Sequence, residues 1–197
     1  HINHYIILTM FIQTEQTPNP QTLKFLPGKV VMEEGTAFFQ NIDEASISPL
    51  ATRLFSVEGV SGVFLGSDFI TITKAETINW EIMKPLVLGS IMDHFNSGEE
   101  TYLSKKTEDT KKSLKENSND SEIVKQIKEL LDTRVRPAVA MDGGDIIYDS
   151  FKDGIVYLHM QGACSGCPSS TATLKMGIEN MLKHYIPEVQ EVRPTDA

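Results

Sequence analysis

Cys164 and Cys167, the two cysteines of this 197-residue chain, stand in one C-x-x-C, Cys164-Ser165-Gly166-Cys167, directly followed by Pro168. Thiolates at this spacing bind iron or zinc, or exchange thiol for disulfide. The loop lies between an apolar segment and a helical pattern opening at Pro168, a residue suited to the first position of a helix. The unpaired N–H groups and positive dipole end of that helix favour thiolate over thiol. Gly162, Ala163 and Gly166 let the backbone come close to whatever the sulfurs hold, and their N–H groups can donate to sulfur.

Three chemistries compete for the motif. A thioredoxin-like redox pair also opens a helix, but the elements before the motif are not the βαβ unit that chemistry uses. A structural zinc site needs two more ligands, and His159 and His184 are the histidines of this half of the chain; each alone reads as packing or surface. A [4Fe–4S] cluster takes four cysteinates, which two chains related by a two-fold axis would supply together. Asp142-Gly143-Gly144-Asp145 reads as a turn, because it lacks the run of oxygen ligands of a calcium loop. No Ser-His-Asp arrangement or carboxylate pair emerges from the spacing, so the chain is expected not to be an enzyme.

The elements that position the motif form an α-β-β-α-β order. Ser121 caps a helix with apolar residues at Ile123, Ile127, Leu130, Leu131 and Val135, expected to end before Pro137. Ile146–Phe151 and Ile155–Met160 are strands joined by a hairpin at Lys152-Asp153-Gly154; a helix follows from Pro168 to about Tyr185, and Val189–Val192 closes the sheet. Upstream, Phe11–Gln16 and Thr22–Leu26 are strands flanking the turn Thr17-Pro18-Asn19-Pro20. Ser48-Pro49 starts a helix, and Gly66-Ser67 joins Val60–Leu65 to Asp68–Thr73 as a tight hairpin. A helix lies between Trp80 and Phe95, kinked at Pro85 or effectively starting there.

Between these halves, residues 99–121 hold 11 charged side chains, five Lys against six acidic, and few large apolar ones, the composition of a flexible solvated tether. The expected organisation is residues 1–9 as a leader or expression remnant, a first domain over 10–98, the tether over 99–121 and a second domain over 122–197. The fold class is α+β, two small helix-on-sheet layers. A net charge of −9 disfavours nucleic acid, whose binders present excess Lys and Arg. The apolar run 5–12 is shorter than the ~20 residues a membrane helix needs and is no secretory signal. With no Arg before Arg53 to build a transit peptide, a bacterial cytoplasm is expected, with the mitochondrial matrix as second choice.

The stretch Met141-Asp142-Gly143-Gly144-Asp145, then Gly162 through Ser170, then Thr173-Leu174-Lys175-Met176-Gly177-Ile178-Glu179 resembles the C-terminal domain of NifU-like proteins. Thr17-Pro18-Asn19-Pro20, Leu23-Lys24-Phe25, Ser48-Pro49-Leu50-Ala51 and 68–74 resemble the Nfu N-terminal domain. The resemblance implies an iron–sulfur scaffold or carrier. It would hold a [4Fe–4S] cluster between two protomers joined through their C-terminal domains, take it from upstream assembly machinery and pass it to apo-proteins. Carried over by position, the ligands are Cys164 and Cys167. An open, solvent-reachable cysteine loop is expected, with the first domain recognising partners and the tether letting the cluster domain swing.

Overall fold

Strands β2 (Thr22–Leu26) and β5 (Ile70–Lys74) alternate apolar and polar residues and pair antiparallel, Leu23 opposite Ile72 and Lys24 opposite Thr71. Because successive side chains point to opposite faces, this register gives the sheet one apolar and one mixed face. The computed structural model describes residues 11–103, 121–165 and 168–195. The first sheet is antiparallel, in the order β1 (Gln13–Gln16), β2, β5, β4 (Val60–Leu65), β3 (Ala37–Phe39). Leu23, Phe25, Val63, Leu65, Ile70 and Ile72 join Leu50 and Leu54 of α1 (Pro49–Phe55) and Val87 and Ile91 of α2 (Trp80–Ser97) in one buried core.

Local chemistry sets the ends of these elements. The Ser48 Oγ accepts from the Ala51 N–H at 3.0 Å, with Pro49 at the first helical position. The Asn79 side chain accepts from the Glu81 N–H at 2.9 Å, so α2 begins five residues before Pro85 and runs on through it. That cap, and the burial of Met83, Val87, Ile91 and His94, outweigh the one hydrogen bond the proline removes. The β4–β5 connection is wider than the two-residue turn expected: Leu65 pairs with Ile70, and the Gly66 N–H donates to the Phe69 carbonyl at 2.9 Å. The Phe69 ring folds back over Gly66, where a Cβ would lie 2.3 Å from it. Residues 99–103 stay on the first domain, the Ser48 Oγ donating to the Thr101 carbonyl at 2.6 Å and the Leu103 N–H to the Ile47 carbonyl at 2.7 Å. Residues 104–120 of the expected tether lie outside the described residues.

In the second half Ser121 caps α3 (Glu122–Leu130), and the helical path does not stop before Pro137 as expected. A π-helical turn over Leu131–Val135 leads into α4 (Arg136–Met141), with the Arg136 N–H donating to the Leu131 carbonyl. Widening the turn just ahead of Pro137 lets the helix continue past a residue with no N–H. Strands β6 (Gly144–Lys152) and β7 (Ile155–Gly162) form a hairpin whose two turn residues, Asp153 and Gly154, both have positive φ, as a type I′ turn requires. Helix α5 (Pro168–Tyr185) then returns the chain so that β8 (Glu191–Pro194) lies parallel to β7. Ile127, Leu131, Val139, Ile146, Val156, Leu158, Ile178, Leu182 and Val192 form the second core. The α+β class and the α-β-β-α-β order are those expected. Among the described residues no helix is long and apolar enough to cross a membrane.

His94, fully buried on α2, has its pKa lowered from 6.5, chiefly by burial, with Arg53 adding and Glu99 opposing. The unfolded chain therefore binds this proton more readily than the folded one. The stabilisation is complete above pH 6.5 and is lost as pH falls from there towards the lowered value. Urea unfolding followed by fluorescence of Trp80, the single tryptophan, should show a midpoint that drops between pH 7.5 and 5.5. In His94→Gln that pH dependence should flatten.

Candidate functional site

Cys164 follows β7 at the point where the chain turns towards α5. Positive φ at Gly162 (+64°) starts the turn, the Ser165 N–H donates to the Gly162 carbonyl at 3.1 Å, and the Thr171 hydroxyl on α5 donates to the Cys164 carbonyl at 3.1 Å. The sulfur lies against the first residue of β6: a Cβ on Gly144 would stand 2.7 Å from Sγ and 2.8 Å from the Gln161 carbonyl oxygen. Glycine at 144 is what lets the loop close onto the strand. Cys164 is only 8% exposed and belongs to the second core, so the solvent access expected of the loop is not found at this cysteine. Burial pushes the Cys164 thiol up to about 12, with Asp142 and Asp145 adding to the shift. In this state burial and two carboxylates outweigh the helix terminus, and the sulfur is a thiol rather than the expected thiolate.

The Asp142–Asp145 turn is an ion-pair anchor for the site. The buried Asp145 carboxylate receives the Arg136 Nε and Nη2 at 2.9 Å each, a two-pronged pair, and the Ile146 N–H at 2.8 Å. Hydrogen bonds donated to Asp145 hold the Arg136 guanidinium above its ordinary pKa, despite its own partial burial. The π turn and Pro137 place Arg136 on this carboxylate, and thereby fix the strand end against which Cys164 packs.

The mixed face of the first sheet covers this turn and the cysteine loop. Lys24, Thr71 and Phe64 stand in register across β2, β5 and β4, and they are 7%, 1% and 0% exposed. Lys24 Nζ donates to the carbonyls of Ala140 (3.2 Å) and Met141 (3.1 Å), the end of α4, with the Phe69 ring 4.6 Å away. The Thr71 hydroxyl donates to the Gly143 carbonyl at 2.7 Å, and Asn19 Nδ2 to those of Ala163 (3.4 Å) and Ser165 (3.5 Å), one on each side of Cys164. The Thr36 hydroxyl donates to Asp145 at 3.1 Å, and the Phe64 ring stands 3.0 Å from where a Cβ on Gly162 would be.

His159 and His184 do not join this site. His159 has both ring nitrogens engaged, Nε2 with Asp149 at 2.9 Å and Nδ1 with the Thr195 carbonyl at 3.2 Å. His184 stacks edge-on against Tyr185 in the last turn of α5, roughly 24 Å along the helix from Pro168 at 1.5 Å per residue. Among the described residues no three His, Cys, Asp or Glu side chains converge to hold a metal. Cys167, the second expected ligand, lies outside the described residues.

Two family models match: the scaffold protein Nfu/NifU N-terminal domain over residues 12–98 and the NifU-like domain over 127–193. The chain belongs to the Nfu/NifU family. An Arabidopsis thaliana relative, NifU-like protein 4, mitochondrial, is 54% identical over 93% of this chain and 65% of its own length. The human NFU1 iron-sulfur cluster scaffold homolog, mitochondrial, is 54% identical over 93% of this chain and 71% of its own. The chain thus spans about two thirds of such relatives. A solved NifU-like protein from Saccharomyces cerevisiae is 27% identical over 53% of this chain and 97% of its own, with a TM-score of 0.45. The names of these Nfu/NifU relatives overturn the expected bacterial cytoplasm. That expectation rested on a missing Arg-rich leader, and a chain covering two thirds of its relatives carries no information about one.

Arg136 was not singled out by sequence, since its partner is nine residues on and across a turn. Nor were Asn19, Lys24, Thr36 and Thr71 read as neighbours of the cysteine loop. In alternating strands Lys24 and Thr71 look like solvent-facing residues, and nothing local marks them otherwise. Arg136→Gln leaves the buried Asp145 without its main partner and should cost about 3 kcal/mol in chemical denaturation followed by circular dichroism. Gly144→Ala, which forces the sulfur or the Gln161 backbone to move, should cost about 1–3 kcal/mol in the same measurement.

Proposed function

We propose that the chain is an iron–sulfur scaffold and carrier that holds a [4Fe–4S] cluster between the Cys164 and Cys167 pairs of two copies and hands it to apo-proteins. The observation that carries this reading is the deficit of ligands. A family member with a single C-x-x-C brings two thiols, no histidine among the described residues converges on Cys164, and a four-iron cluster takes four cysteinates. A second copy supplies the missing pair. In this reading the cluster is cargo and the chain is not an enzyme, because iron–thiolate bonds are exchanged and no substrate is converted. The cluster comes from upstream assembly machinery and leaves when thiolates of an apo-protein displace Cys164 and Cys167. Iron replaces the proton of the Cys164 thiol, and the sulfur turns away from Gly144 to reach it. A mitochondrial location is supported by the names of the relatives.

Anaerobic reconstitution with iron and sulfide tests the proposal. The outcome expected is about four irons per two chains in a species that elutes as a dimer, and loss of iron in Cys164→Ala and in Cys167→Ala. Thiol–disulfide turnover by an iron-free monomer would refute it, as would a zinc ion that iron does not displace.

A further inference from the structure

We infer that the first domain is an intramolecular shield for the cysteine loop, latched by Asn19, Lys24, Thr36 and Thr71, and that this closed form excludes the second copy with which the loop would share a cluster. The second clause rests on the function proposed above; the latch itself does not. The first sheet has helices on one face only, so its other face would ordinarily meet water. Instead Lys24, Phe64 and Thr71, one residue from each of three neighbouring strands, are buried against the second domain.

What they bury is the surface around the candidate ligand. Thr71 holds the carbonyl of Gly143, one residue before the glycine on which the Cys164 sulfur rests. Asn19 reaches the carbonyls on both sides of Cys164, and Phe64 fills the space over Gly162. A second cysteine loop brought up for four-sulfur ligation would need that space.

The contact is also built to reopen. Among the described residues its polar contacts are side-chain hydrogen bonds to backbone carbonyls and to Asp145, groups that water satisfies when the domains part. A latch of this kind is adjustable, each buried hydrogen bond being worth about fivefold in the closed-to-open ratio. It gives the chain a cluster-free resting state in which Cys164 is covered, and a loaded state in which the first domain has lifted and its Lys24–Thr71–Phe64 face is free.

Small-angle X-ray scattering on the full cluster-free chain tests the latch, comparing wild type with Thr71→Val and Lys24→Met. The wild type should have a maximum dimension matching the closed arrangement; each variant should be more extended while keeping wild-type circular dichroism. The initial rate of iron and sulfide loading should rise about fivefold per variant, with unchanged final iron content. A wild type already as extended as the variants would overturn the inference. So would variants that stay as compact as wild type, or that expand only with loss of circular dichroism. If no four-iron cluster forms in any protein, the proposed function fails while the scattering comparison still decides the latch.

Discussion

The carbonyl groups where α4 runs into β6 are the constraint around which the molecule is arranged. A helix leaves its last carbonyls without intrahelical partners, and once buried they need donors. Here the Gly143 and Ala163 N–H groups serve the Ala140 and Gly143 carbonyls locally, and the other domain adds Lys24 for Ala140 and Met141, and Thr71 for Gly143. A lysine suits the place, because its cation meets the negative end of the helix dipole while its stem lies along apolar surface. Phe69 and Glu15, the latter 3.8 Å from Nζ, complete the surroundings of this buried charge. With the turn held, Gly143 can take its positive φ, β6 can begin at Gly144, and the sulfur of Cys164 has a backbone to rest on.

Two kinds of cohesion follow. Within each domain the cores are aliphatic and aromatic, and their burial holds the layers together whatever the domains do to one another. Between the domains the contact includes a row of hydrogen-bond donors beside the Phe64 ring, a more polar composition than either core. The Arg136–Asp145 pair sits at the boundary of the two regimes, since Asp145 is anchored within its own domain and accepts one hydroxyl from the other. Loss of Thr36 removes a donor there without stranding the charge.

Sequence reading was most informative where a local rule decided the outcome. Ser48-Pro49, Ser121, Asp153-Gly154 and the alternation of β2 and β5 each carry their own signal, and the elements appear where those signals put them. It fell short where a distant partner decided. The chain runs through Pro137 because a π turn absorbs it, and through Pro85 because a cap and a buried face hold α2. Cys164 illustrates both cases. Its place between β7 and α5 was legible from Pro168 and the glycines, but its burial was not, because the strand start its sulfur packs against lies twenty positions away and the side chains that hold the neighbouring carbonyls lie on another domain and look like ordinary strand and turn residues.

Recognition between the domains runs in one direction. The first domain contributes side chains; the second contributes mainly peptide carbonyls, at positions 140, 141, 143, 163 and 165. Every residue type carries such a carbonyl, so apart from Gly143 and Gly162, where a Cβ would crowd Thr71 and Phe64, the docked contact places little demand on the identity of the residues it touches. Beyond those glycines the chain around Cys164 can vary without losing its cover, whereas the covering sheet must keep its own donors. The specificity of the closed form is written in the domain that carries no cysteine.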